Sequence, residues 1–217
     1  MTRTTSKVFR PRIYPRGEKK EYPYWLVLDV HGVLIPSSER WILHQLSKRT
    51  GKSMLGIYFR WFLNLKPTQL GKRSAKSFYE EVLDQRLTEK QFQEWYVKSY
   101  AQRSVVSPVI IDQLVRLKKK GWKLAILSDM HSAQAAYHRN QKHFALFDEV
   151  FLSCETGMMK PFPDVYAALE KRMHTRKDHI VYCDDLWFNS WMGALNGWRA
   201  LTIKGPKQLV HFLADLP

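Results

Sequence analysis

The chain has 217 residues, of which 45% are hydrophobic and 25% charged. These are the proportions of an ordinary folded domain, long enough for one well-buried core or a core carrying a modest insertion. No apolar run approaches the roughly 20 residues of a membrane-spanning helix, which excludes a transmembrane helix and leaves no membrane partner expected.

The formal net charge of +15 is high for an enzyme of small molecules, and it is unevenly spread. Residues 1–20 carry Arg3, Lys7, Arg10, Arg12, Arg16, Lys19 and Lys20 against Glu18 alone. Residues 1–21 read as a flexible basic arm. Pro11 and Pro15 interrupt any amphipathic targeting helix, and no apolar signal core is present. Residues 36–76 carry Arg40, Lys48, Arg49, Lys52, Arg60, Lys66, Lys72, Arg73 and Lys76 against Glu39 alone. Such clusters either attract nucleic acid or other polyanions, or serve only as solvated surface. Cys154 and Cys183 form neither a metal-type nor a disulfide framework, which points to a reducing, cytoplasmic setting.

In chain order, Tyr24–Asp29 is a continuous apolar run ending in a carboxylate, the pattern of a buried parallel strand. Residues 38–50, 75–84 and 88–102 have helical spacing, with Thr88 and Gln91 forming a capping-box pattern. Between them, 54–65 is strongly aromatic. Pro108 opens a helix through Lys120 that Gly121 stops. Strands follow at Trp122–Ser128, Glu149–Ser153, His179–Asp184 and Trp198–Ile203. Helices are expected at about Ser132–His143, Asp164–Arg172 and Phe188–Asn196. This alternation predicts an α/β fold with a doubly wound, mostly parallel, Rossmann-like sheet. Residues 22–36 and 104–217 make its core. Residues 37–103 lack strands and read as a helical cap inserted over the sheet's carboxyl edge.

Ligands of open α/β sheets bind at the carboxyl ends of the strands. Asp29, Ser128 and Asp184–Asp185 stand at three such ends, and Lys160 lies in a Gly- and Pro-punctuated loop before a helix. Singly, each has a structural use: Asp and Ser cap helices and form turns, and a lone Lys is solvated. Their joint order is more specific. LVLDVHGVLI, LAILSDM, FDEVFLSCETGMMKPFPDVYAAL and IVYCDDLWFNSWMGALNGWRALTI resemble, in sequence, the four motifs of haloacid dehalogenase-like (HAD) hydrolases. The likeness covers 24–35 and 104–204, and the insertion matches the family's helical cap in position and helicity.

The resemblance implies a Mg²⁺-dependent hydrolase, most simply a phosphatase of a phosphorylated small molecule. Asp29 would be the nucleophile that forms an aspartyl intermediate. Asp29, Asp184, Asp185 and the His31 backbone carbonyl would hold Mg²⁺. Gly32, Ser128, Asp129 and Lys160 would contact the phosphoryl group, with Lys160 balancing its charge. Two positions depart from the family pattern. His31 replaces the acid–base Asp, so it either performs that role as an imidazole or marks a domain that binds without turnover, using its basic cap and arm on nucleic acid. Asp129 stands where Asn is frequent. Dehalogenation is a lesser alternative, since carbon–halogen displacement needs no metal.

Trp41, Tyr58, Phe59, Trp61 and Phe62 lie among the basic residues. They are expected to form the cap's own core, the other use being base stacking. Of the remaining histidines, His138 and His143 are five apart, which is not a same-face helical spacing, and a surface role is expected for them.

Overall fold

The computed structural model describes residues 23–217; the basic arm lies outside them. Five strands form one sheet in the order β3-β2-β1-β4-β5, with all neighbouring strands parallel. They are β1 (Trp25–Leu28), β2 (Lys123–Ser128), β3 (Glu149–Leu152), β4 (Ile180–Asp184) and β5 (Arg199–Thr202). The pleat explains the near-continuous apolar sequences, because both faces of these strands are covered. Leu26 and Leu28 pack with Ile110 and Leu114 of α6 (Pro108–Lys119) and with Leu209 and Leu213 of α11 (Pro206–Asp215). Trp25 and Val27 point the other way, onto Val165, Tyr166 and Leu169 of α9 (Pro163–Met173). The doubly wound α/β sheet expected from the alternation is present.

Between β1 and α6 the chain forms α1 (Glu39–Thr50), α2 (Met54–Gln69), α3 (Ala75–Leu83) and α4 (Glu89–Phe92). A π-helical stretch (Gln93–Val97) and α5 (Lys98–Arg103) follow. The Thr88–Gln91 capping box starts α4 with both reciprocal bonds made. These helices enclose a separate apolar cluster, including Ile42, Leu46, Phe78, Val82 and Tyr96. It leans on Ala133 and Tyr137 of α7 (Ser132–Asn140). No helix among the described residues is long and apolar enough to cross a membrane.

Local expectations fail in identifiable ways. Tyr58, Phe59 and Phe62 are not core residues but exposed. Ile57, Trp61 and Leu65 occupy the inward side of α2 and leave the intervening positions facing solvent. The helix expected to reach His143 ends at Asn140, because Lys142 takes a left-handed turn (φ 56°) that folds the chain back. The amide of His143 then donates to the carbonyl of His138 at 3.0 Å. His138 is consequently buried, not on the surface. Helix α11 and the short α8 (Ser153–Thr156) carry no expectation from sequence.

One packing contact ties the fold to the strand ends. Gly193 of α10 (Trp187–Leu195) lies so close to the sheet that a Cβ there would stand 2.7 Å from the ring of Tyr182 and 3.4 Å from Ala200. Tyr182 is fully buried and donates its hydroxyl proton to Asp184 at 2.6 Å. Gly193→Ala should therefore destabilise despite the better helix propensity of alanine. The loss expected is about 1–2 kcal/mol, because overpacking outweighs roughly 1 kcal/mol of helix gain. It should be read as a lower urea midpoint at unchanged m; an unchanged or higher midpoint would show that the ring moves freely.

Candidate active site

The strand ends meet around one cation. Lys160, only 3% exposed and carried by the loop between α8 and α9, places its Nζ 2.7 Å from Asp184 Oδ2 and 3.1 Å from Asp29 Oδ1. A third bond, 3.1 Å, goes to the carbonyl of Leu127 at the end of β2. Strands β1, β2 and β4 are thus pinned by one ammonium. Burial alone would lower the pKa of Lys160, but Asp184, Asp29 and Asp129 overcome it and hold the group above the ordinary lysine range.

The carboxylates differ in role. Asp184 is saturated. Its Oδ2 accepts from Tyr182 and Lys160, and its Oδ1 from the Leu186 amide at 2.9 Å and from Asn189 Nδ2 at 3.0 Å. Burial opposes its ionisation, yet Lys160 and these donors keep its pKa below the usual value. Asp29 has fewer partners: the Val30 amide at 2.7 Å and Lys160. Burial raises its pKa, Lys160 counteracts, and Asp184 raises it further. Asp185 is half-buried and pushed up to about 6 by burial and by the charges of Asp29 and Asp184. Asp129 accepts from the Lys160 amide at 3.2 Å and is pushed up to about 7, chiefly by burial.

Asp29, Asp184 and Asp185 can each present an oxygen within 4.8 Å of the others, a spacing suited to a hard divalent cation. Gly32 makes the approach possible. Its φ is +76°, and a Cβ would fall 2.3 Å from Asp185 Oδ2, so any other residue would displace that carboxylate. Ser128 Oγ is buried at the end of β2 and makes no hydrogen bond of normal geometry. Its nearness still favours the ionised form of Asp29. A buried hydroxyl without a partner beside a nucleophile-type carboxylate is disposed to donate to an incoming oxygen.

His31 turns away from the lysine and joins a chain of rings. Its Nε2 lies 2.7 Å from the hydroxyl of Tyr100, which lies 2.6 Å from His138 Nε2. His138 Nδ1 in turn faces His143 Nδ1 at 2.8 Å. Burial depresses His138 to about 3 and also lowers half-buried His143, so these two imidazoles favour the uncharged form. A parallel contact joins Tyr96 to His131 at 2.8 Å. Glu39 at the start of α1 is held below the usual carboxylate range: burial opposes ionisation, but His31, the Ser37 hydroxyl and nearby amides prevail.

All the strand-end residues singled out from sequence therefore converge, except that the ring of His31 is committed to Tyr100. Sequence reasoning passed over Tyr182 and Tyr100 and placed His138 on the surface. Tyr182 was within reach, since it sits two residues before Asp184 on the same strand and must share its face. Tyr100 lies 69 residues from His31 and gives no local signal.

Comparison with known proteins bears on the family and the fold. A family model for haloacid dehalogenase-like hydrolases matches residues 25–197. No curated protein matches the chain. Among solved structures, a HAD family enzyme from Bacteroides thetaiotaomicron in its magnesium complex superposes with a TM-score of 0.74 at 19% identity, covering 88% of this chain and 98% of that one. The same enzyme with magnesium and inorganic phosphate gives 0.68 at 18%, covering 83% and 93%. The L-2-haloacid dehalogenase of Xanthobacter autotrophicus gives 0.57 at 18%, covering 81% and 75%. These likenesses carry the fold, and the matched model carries the family: the chain belongs to the haloacid dehalogenase-like hydrolases.

Proposed function

We propose that the protein is a Mg²⁺-dependent phosphatase of a phosphorylated small molecule, acting through Asp29. The observation that carries this reading is the grouping of Asp29, Asp184 and Asp185 around buried Lys160 at the carboxyl edge of the sheet. One ammonium does not balance these carboxylates: burial raises the pKa values of Asp29 and Asp185, and the neighbouring carboxylates raise them further. A divalent cation would offset this negative charge, and Mg²⁺ held here supplies the charge that lets a carboxylate approach a phosphate. Asp29 and Asp185 have acceptor capacity to offer it, with the His31 carbonyl as a further hard oxygen. Asp184 belongs to the same group, and its four protein donors also let it orient Lys160. Magnesium and phosphate bound to the Bacteroides enzyme of the same fold support the assignment. This donor set also favours phosphoryl transfer over dehalogenation.

In this mechanism Asp29 attacks phosphorus, and the bond from phosphorus to the leaving oxygen breaks. Lys160 and Ser128 stabilise the phosphoryl oxygens, and His31 gives a proton to the departing alkoxide. Water then attacks the aspartyl phosphate, His31 takes its proton, and phosphate and free Asp29 result. Tyr100 fits His31 to both steps. A phenol has one proton, so it donates to one imidazole and accepts from the other. When it accepts from His31 Nε2 and donates to His138 Nε2, a protonated His31 gives its Nδ1 proton to the leaving oxygen, and the neutral ring that remains, with Nδ1 bare, takes the proton of the attacking water.

Asp29→Asn should abolish turnover of phosphate esters while the thermal transition stays cooperative; near-native turnover would rule out Asp29 as nucleophile. Asp185→Ala should weaken Mg²⁺ binding in calorimetry by at least about tenfold, and equal affinity would remove it from the ligand set. For acid–base catalysis the informative measurement is kcat over esters of rising leaving-group pKa. His31→Ala should slow alkyl esters by about 100-fold or more and aryl esters little, with Tyr100→Phe showing the same trend more weakly. Equal rates for wild type and His31→Ala across the series would exclude His31.

A further inference from the structure

The outward side of α2 inverts the usual order of an amphipathic surface helix. Leu55, Tyr58, Phe59, Phe62 and Leu63 are all exposed, with Phe59 at 61% and Phe62 at 65%. At about 100° per residue these positions fall within an arc of roughly 140°, along a helix about 24 Å long. Contiguous exposed apolar faces of this kind mark interaction sites. The charges around the stripe identify its partner. Arg40 shares a shallow surface depression with Leu55 and Tyr58 at one end. Lys66 stands at the other end, its ammonium 5.2 Å from the centre of the Phe162 ring. Among the described residues neither makes an ion pair, and Lys48 and Arg49 on neighbouring α1 are exposed and likewise have no acid partner there. Arg60 on the flank is neutralised by Asp84 at 3.1 Å, which also pairs with Lys52 just before α2 at 4.0 Å.

We infer that this face seats on an anionic phospholipid surface, with the five apolar side chains in the headgroup boundary and Arg40, Lys66 and the α1 cations against lipid phosphates. A second copy of the chain fits poorly. Antiparallel two-fold pairing of the stripe would set Arg40 of one copy beside Lys66 of the other, like charge against like. Nucleic acid fits less well too, since Leu55 and Leu63 gain from an acyl environment and offer no base a stacking face. Peripheral binding needs no spanning helix, although the sequence alone led to no expectation of a membrane partner. The basic arm of residues 1–21 adds charge of the same sign.

The test is co-sedimentation of the full chain with phosphatidylcholine vesicles, with and without phosphatidylserine. Phe59→Ser, Phe62→Ser and the Arg40→Ala/Lys66→Ala pair are compared with wild type. Binding should require phosphatidylserine. It should fall at least about tenfold for each Phe variant and about fivefold per charge removed, with the thermal midpoint unchanged because these side chains are exposed. The Phe variants separate this face from the arm, whose electrostatic binding they would not alter. Absence of vesicle binding, or binding that ignores Phe59 and Phe62, overturns the inference. So does RNA binding without vesicle binding, or a concentration-dependent dimer that Phe62→Ser dissolves. The readout is independent of catalysis, so it stands or falls separately from the phosphatase assignment.

Discussion

The ammonium of Lys160 is the constraint on which the rest of the site depends. Removing such a charge from water costs several kcal/mol even after relaxation, so it is tolerated only with compensating partners held in place. Here the partners are Asp184, Asp29 and the Leu127 carbonyl, one from the end of each central strand. The compensation goes beyond neutrality. Asp129 and Asp185 lie within electrostatic reach, and burial first, then the charges of Asp29 and Asp184, push them up to about 7 and about 6. Crowding of this sort is unfavourable in the isolated protein, and it is what makes the site receptive to a cation.

Packing far from the carboxylates sets their geometry. The close approach of Gly193 to the sheet fixes the ring of Tyr182, Tyr182 bonds Asp184, and Asp184 bonds Lys160. On the opposite side, the missing side chain of Gly32 gives Asp185 its place. Two glycines, one within a helix and one in a turn, therefore determine where two adjacent aspartates point. Gly193 meets a ring that bonds Asp184 and Gly32 meets the Asp185 carboxylate itself, so substitutions there would read as stability effects and site effects together.

What could be read from sequence followed the range of the interaction. Asp29, Ser128 and Asp184–Asp185 stand at the ends of apolar runs, and parallel strands place such ends on one edge whatever the intervening loops do. Lys160 was legible because its Gly- and Pro-marked loop precedes a helix on the same edge. The ring chain was not legible. The five-residue spacing of His138 and His143 suggested separate faces of one helix, but the helix stops at Asn140 and Lys142 reverses the chain. The aromatic segment at 54–65 was legible as helical material but not in its orientation. Which arc of α2 faces inward is decided by Ile57, Trp61 and Leu65 meeting helices distant in sequence.

His31 is the position where the chain leaves its family's pattern, and its surroundings bear on how that departure is understood. The π-helical stretch aligns Phe92, Tyr96 and Tyr100 as a stacked column, with ring centres 5.5 and 6.0 Å apart. This column carries two hydroxyls from the helical segment to imidazoles beside the sheet: Tyr96 to His131, and Tyr100 to both His31 and His138. A catalytic residue lost by drift would leave its neighbours fitted to the ancestral carboxylate. Here a phenol, two further imidazoles and Glu39 are arranged with respect to the imidazole itself. Buried polar groups are costly unless every member finds a partner, and this set meets that demand through Tyr100. The network also makes the helical segment's position and the tautomer of His31 interdependent. Any movement of α5 away from the sheet would break the Tyr100 bond and free the imidazole at the same moment. Under the proposed acid–base role of His31, access to the strand edge and readiness of the imidazole would be joined through one hydroxyl.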